Sequence, residues 1–267
     1  MEREPSNIGR REFLKNLGGA VVGGVLAGSA LGSGEKKAPG ENSEREKASK
    51  EKLISELLAY REITPNQGKE FLQKVEYWYR QHARGGANYQ ALLGGWNRLL
   101  DSNQKTQSDL ETILDIFKKE GVPKDLIFLG LAESYWNKNA YNKNSKAGGP
   151  WQFIPDTAKR FGLKDRYNIV ESTKAACVYL KELYALAQEC AELAGVQVSA
   201  SDLWLWAFLA YNRGEGFVLK RPSGKRGDFF RFGGDINEYV KNCKVKESVN
   251  YPTKILGIAK ALEDFIE

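Results

Sequence analysis

The sequence predicts an all-α protein, on two observations. From residue 53 onward apolar residues recur at three- and four-residue spacing, the repeat that lays them along one face of a helix, and alternating runs are few. Helix start and stop signals punctuate that stretch: Ser108 with Glu111 has the spacing of a capping box, Gly121 stands where a helix stops, and Pro123 suits a first helical position.

The chain divides into four parts. Residues 8–32 read IGRREFLKNLGGAVVGGVLAGSALG. Arg10 and Arg11 precede Phe13-Leu14-Lys15 and an apolar stretch that is short for a membrane span and diluted by glycine. Residues 1–32 thus resemble a twin-arginine export signal, with Gly9 where such signals usually carry Ser or Thr. Residues 33–52 are charged and nearly devoid of apolar side chains, which predicts a solvated linker. Export machinery of the twin-arginine type is therefore an expected partner. The protein is expected in the periplasm or cell envelope, with the signal either removed or kept as a tether.

Residues 53–105 form a helical accessory region and residues 106–267 the main domain. In the first, Leu53, Leu57 and Leu58 mark one helix. Thr64-Pro65 reads as the cap and first position of a second, running through Phe71, Val75 and Trp78. In the main domain the capping box opens a helix that reaches Glu120, and a helix over 123–134 follows with Asp125 in its first turn. Further helices are expected near 155–161, 171–194, 201–212 and 248–264, with Ser201-Asp202 as one start signal.

Composition narrows the chemistry. Hydrophobic residues make up 42% and charged residues 28%, enough apolar content for a packed core. The net charge of +6 is compatible with an anionic polymer or surface, although a solvated basic face is the simpler reading. With neither a nucleic-acid motif nor a long Lys/Arg block in the body, nucleic acid is not expected as a partner. One histidine, His82, and three cysteines without zinc-ligand spacing leave no expected metal site, and no cofactor is expected. Cys177, Cys190 and Cys243 are expected to be free buried thiols, with one bridge involving Cys243 as the alternative. The chain is expected to act as a monomer.

One carboxylate stands apart. The second half of the 123–134 helix, LIFLGLAES, is apolar on every face and should be buried all round, with Glu133 in its last turn. Desolvation and the negative end of the helix dipole both raise a carboxyl's pKa there, which a general acid working near neutral pH requires. From position alone, an exposed helix-end glutamate is the simpler reading.

The order of motifs changes that balance. Gly121-Val122-Pro123 is followed by Glu133-Ser134, then by Ala147-Gly148-Gly149-Pro150-Trp151-Gln152-Phe153-Ile154-Pro155, Ala210-Tyr211-Asn212 with Gly214, and Tyr251-Pro252 with Lys254-Ile255-Leu256. Over about residues 114–262 this resembles the lysozyme-like lytic transglycosylases, in particular the membrane-bound lytic transglycosylase D type. The resemblance implies a lysozyme-like fold and peptidoglycan glycan strands as substrate, cut between N-acetylmuramic acid and N-acetylglucosamine with formation of 1,6-anhydromuramoyl ends.

Residue by residue, it implies Glu133 as the catalytic acid. Trp151, Gln152 and Phe153 would line the glycan groove. Tyr211 would be the phenol near the acid, and Asn212 a sugar-contacting or site-shaping amide. Asn142 aligns where the family usually carries a serine. Amides and phenols suit sugar hydroxyls and acetamido groups, and aromatic faces suit sugar C–H surfaces. Trp204 and Trp206 read as core aromatics, and 221–234 as a groove rim or a mobile loop. No second acid competes with Glu133: Asp156 and Glu171 read as helix-start residues and Asp165 as a turn residue. The same fold run as a hydrolytic muramidase would need a second carboxylate in the cleft. A non-catalytic wall-binding protein would use the groove for recognition only.

Overall fold

The structure, a computed structural model, describes residues 52, 54–58, 61–100, 108–219, 227–245 and 249–264. The export signal, nearly all of the linker and residues 221–226 of the 221–234 segment lie outside the described residues. Among the described residues, no helix is long and apolar enough to cross a membrane.

The expected all-α class is borne out. In chain order the helices are α1 (Lys69–His82), α2 (Tyr89–Leu100), α3 (Asp109–Glu120), α4 (Leu126–Ser134), α5 (Pro155–Arg160), α6 (Ile169–Ala194), α7 (Ala200–Arg213), α8 (Glu215–Val218), α9 (Asp228–Arg231), α10 (Ile236–Asn242) and α11 (Tyr251–Glu263). The extended pairing among the described residues outside them consists of two isolated bridges, Tyr141 to Gly148 and Gly148 to Phe153.

Local chemistry explains most boundaries. Ser108 accepts from the Glu111 amide while the Glu111 side chain returns to the Ser108 amide, the expected capping box at α3. Gly121 ends α3 in the left-handed region at φ 65°. Three expected starts move, the first being that of α4, which begins at Leu126 with Asp125 as its cap and Pro123 before it. Thr64 and Pro65 do not open a helix: α1 begins at Lys69, and the Thr64 amide donates to the Ser201 hydroxyl at 3.2 Å. The cap of α7 is Ser199, whose side chain accepts from the Asp202 amide.

Helix α4 sits at the centre. Every residue from Leu126 to Ala132 is buried, as its all-round apolar sequence requires. Helix α11 packs across α1, α4 and α7, while α6 packs on α3 and α7. Helices α1 and α2 belong to the same core as the rest: Phe71, Val75, Leu92 and Trp96 are buried with it. At the crossing of α1 and α11 the chains meet backbone to backbone. A Cβ on Gly257 would lie 2.5 Å from the Trp78 Cβ, 2.8 Å from the Tyr79 nitrogen and 2.9 Å from the Val75 oxygen, so only glycine fits.

The N-terminal end of α4 is pinned by a buried cluster. Asp125 is 2% exposed, bonds the Arg61 guanidinium and accepts from the Glu62 amide at 3.0 Å. Arg61 also reaches Glu263 at the end of α11, at 3.0 Å. Both helices that flank the site described next are thus tied to one arginine.

Candidate active site

A cleft of about 690 Å³ opens where α4 ends, between α7 and α11. Glu133, in the last turn of α4, lines it as the sequence predicts. Tyr251, at the start of α11, donates its hydroxyl to Glu133 Oε1. Three residues further along α11, one turn on, Lys254 Nζ donates to the Ala132 carbonyl at 2.8 Å, beside the acid.

These neighbours decide the electrostatics. Burial pushes the Glu133 carboxyl up to about 7; the Tyr251 phenol and the Lys254 ammonium pull the other way. Desolvation therefore wins, so the carboxyl keeps its proton well above the ordinary carboxylate range and titrates near neutral pH. Burial in turn lowers the Lys254 pKa, and Glu133 raises it. The Tyr251 and Tyr211 hydroxyls are driven well above their ordinary value, first by burial and then by the nearby Glu133. Among the described residues lining the cleft, Glu133 is the one carboxylate.

The loop after α4 makes the facing wall, and it is strained. Tyr135, Trp136, Lys146 and Gln152 all have φ between 50° and 60°, the left-handed region that side chains disfavour. What holds them is visible. Trp136 Nε1 donates to the Ile127 carbonyl at 3.0 Å, and its ring meets Trp151 edge-on at 5.1 Å. Arg98 donates to the Tyr135 carbonyl at 2.9 Å, and Ser134 ties the Pro150 carbonyl to α4 at 2.7 Å. Gly149, at φ 78°, lets the loop pass the 166–167 backbone, where a Cβ would lie 1.9 Å from the Arg166 oxygen.

Of the residues expected from the sequence, Glu133, Asn142, Gln152, Phe153, Tyr211 and Asn212 all line this cleft. Gln152 is held by its side chain, which donates to the Gly149 carbonyl at 2.8 Å. Asn142 shapes its own loop, with Oδ1 accepting from the Asn144 amide at 2.9 Å and the Ser145 amide at 3.2 Å.

Two expectations need correction. Trp151 does not line the cleft: it is fully buried, donates Nε1 to the Thr173 hydroxyl at 2.9 Å and packs against Phe117 and Trp136. The chain turns at Gln152, in the left-handed region at φ 51°, so that Gln152 and Phe153 face the cleft while Trp151 stays in the core. Tyr211 does line the cleft near Glu133; its hydroxyl donates to the Trp151 carbonyl at 2.7 Å, and the phenol bonded to the acid is that of Tyr251. The described part of 221–234 is not a simple rim. Phe229 is fully buried, and Asp228 pairs with Arg213, which lines the cleft from the end of α7.

Sequence reasoning missed Tyr251, Lys254, Arg213 and Trp78 as cleft residues. A signal existed for the first two, since their spacing of three puts both on one helical face. Trp78 carried none, because the α1–α11 crossing that delivers it depends on Gly257. The three cysteines are free thiols, two buried and Cys243 partly so.

Part of the chain is similar to known proteins. Residues 111–228 match the family described as Transglycosylase SLT domain. Membrane-bound lytic murein transglycosylase D of Escherichia coli (strain K12) is 32% identical over 154 residues, covering 53% of this chain and 31% of that protein. The same-named protein of Escherichia coli O6:H1 gives the same figures. The chain thus spans under a third of the length of the curated relatives it matches. The family match takes in Glu133, Gln152 and Tyr211, whereas Trp78, Tyr251 and Lys254 lie beyond it, so the cleft is lined both by the matched segment and by helices outside it.

Proposed function

We propose that this protein is an exported peptidoglycan lytic transglycosylase. It cleaves the β-1,4 bond between N-acetylmuramic acid and N-acetylglucosamine and leaves 1,6-anhydromuramoyl ends. The observation that carries the reading is a single carboxyl, Glu133, in a glycan-sized cleft with no second carboxylate among the described lining residues, its pKa raised by burial to about 7. The similarity to transglycosylases supports the same reaction class.

One carboxyl suffices when the attacking oxygen belongs to the substrate. Glu133 gives its proton to the glycosidic oxygen as the bond to the muramoyl C1 breaks. The carboxylate so formed takes the proton of the muramoyl C6 hydroxyl while that oxygen bonds to C1 and closes the anhydro ring. The acid is regenerated, and no water enters the products. A hydrolase would need a carboxylate to activate water or to attack C1. Gln152, Asn142, Asn212 and Phe153 are assigned to holding the glycan. Trp151 and Tyr211 act on the site through the wall they build, and residues 53–105 serve as an accessory to a domain at 106–267.

Mass analysis of products from purified peptidoglycan, with the Glu133→Gln variant as control, tests this. Anhydromuramoyl products that vanish in the variant are expected. Reducing muramic ends would instead assign a muramidase, and glycan binding without products a wall-binding protein.

A further inference from the structure

Helix α11 brings two polar groups to the acid, and the proton transfers described above use neither. Tyr251 is bonded to Glu133 directly. Lys254 is the less expected of the two, because an ammonium beside a buried acid opposes the proton that the acid must hold. Its placement is built. Nζ is fixed on the Ala132 carbonyl at 2.8 Å, one of the carbonyls that the last turn of α4 leaves without an intrahelical partner. That bond spends one of its three protons. The side chain also lines the cleft together with Glu133.

We propose that Lys254 is a positioning residue for the acid: anchored on the end of α4, it holds Glu133 as a carboxylate between the two proton transfers. The inference rests on the transglycosylase reading. In that reaction the carboxylate exists only after the leaving group has taken its proton and before the C6 hydroxyl returns one. Without a fixed cation, the carboxylate would form in a desolvated cleft at the negative end of a helix. Lys254 supplies the opposite charge there and covers the helix end with the same group.

The other groups facing Glu133 do not replace it. Tyr251 from α11 and Tyr211 from α7 are neutral phenols. Arg213, also on α7, is paired with Asp228. From α1 comes uncharged Trp78, while His82 is fully buried between the Trp78 carbonyl and the Tyr135 hydroxyl. Arg98 of α2 donates to the Tyr135 carbonyl.

The test is the pH dependence of kcat/KM for anhydro-product release by the wild-type protein, Lys254→Met and Lys254→Arg. In Lys254→Met kcat is expected to fall at least ~10-fold with KM little changed, and the basic limb to move up by about one pH unit. Lys254→Arg keeps the charge and should return the limb toward the wild-type position. A Lys254→Met limb coincident with wild type would overturn the proposal, as would a limb that Arg does not restore. If Lys254→Met does not fold, Lys254→Gln, which can still donate to a carbonyl, carries the same comparison. Wild-type protein that makes reducing ends or no products refutes the transglycosylase reading itself, an outcome distinct from any result on Lys254.

Discussion

A proton held on Glu133 has a thermodynamic consequence that can be measured without substrate. Burial raises its carboxyl from the ordinary 4.5 to about 7. In the unfolded chain the group ionises near the ordinary value. Between those two pH values the folded protein keeps a proton that the unfolded chain has lost, so stability falls by about 1.4 kcal/mol per pH unit. Below the interval both states are protonated and the carboxyl contributes nothing. Above it the full penalty applies, about 3 kcal/mol. Because one side of the carboxyl faces an open cleft, water screens part of it, and about 2 kcal/mol is the better expectation. Glutamine resembles the protonated acid and can still accept from Tyr251. Glu133→Gln should therefore match the wild type at about pH 4 and be more stable by about 2 kcal/mol at about pH 8, while inactive at both. Urea unfolding of both proteins across that range reads it directly. A variant less stable than wild type at high pH, or a difference independent of pH, would refute the claim that the fold holds this acid neutral.

Three further outcomes follow from the contacts. Tyr251→Phe removes the hydroxyl that stabilises the carboxylate, so the basic limb of the rate profile should rise and kcat fall about 10- to 100-fold, the worth of one hydrogen bond to a charged group; an unchanged profile would remove Tyr251 from the chemistry. Gly257→Ala drives a methyl group into the backbone of α1, and thermal melting should show a loss of about 1–3 kcal/mol together with reduced activity. Trp151→Phe leaves the Thr173 hydroxyl without its donor and should cost about 1–3 kcal/mol with KM unchanged, whereas a raised KM in a fully stable variant would make Trp151 a glycan contact after all.

The parts of this molecule legible in its sequence are those fixed by neighbouring residues. Ser108 and Glu111 satisfy each other within one turn, and Gly121 ends a helix by its own backbone freedom, so neither depends on the rest of the chain. The apolar run before Glu133 likewise implies burial wherever the helix is placed. Where distant groups compete, local signals mislead. Thr64-Pro65 has the chemistry of a helix start, yet the Ser201 hydroxyl, 137 residues away, takes the Thr64 amide. Trp151 and Gln152 are neighbours with similar claims on a sugar, and only the positive φ at Gln152 separates a wall residue from a core residue. The sequence points to Tyr211 beside the acid, and that Tyr251 is the phenol bonded to it follows from the packing of α11 on α4.

That packing also bears on the helices N-terminal to the matched segment. Residues 53–105 are separable in the sequence, but α1 lies against α11 at the closest approach two backbones allow, and α11 carries both groups that act on Glu133. On its other side, α1 is bound through Asn237, which accepts from the Phe71 amide at 3.3 Å, and through Lys74, which donates to the Val240 carbonyl at 2.8 Å. Helix α1 is therefore clamped between α10 and α11 and places Trp78 in the cleft wall. Without it, the face of α11 that packs on α1 would meet water, and only the packing on α4 and α7 would be left to set the angle at which Tyr251 and Lys254 approach the acid. A fragment reduced to residues 106–267 should then keep Glu133 and lose the environment that makes it an acid. A fragment matching the whole chain in rate and pH profile would show that α11 holds its place through α4 and α7 alone.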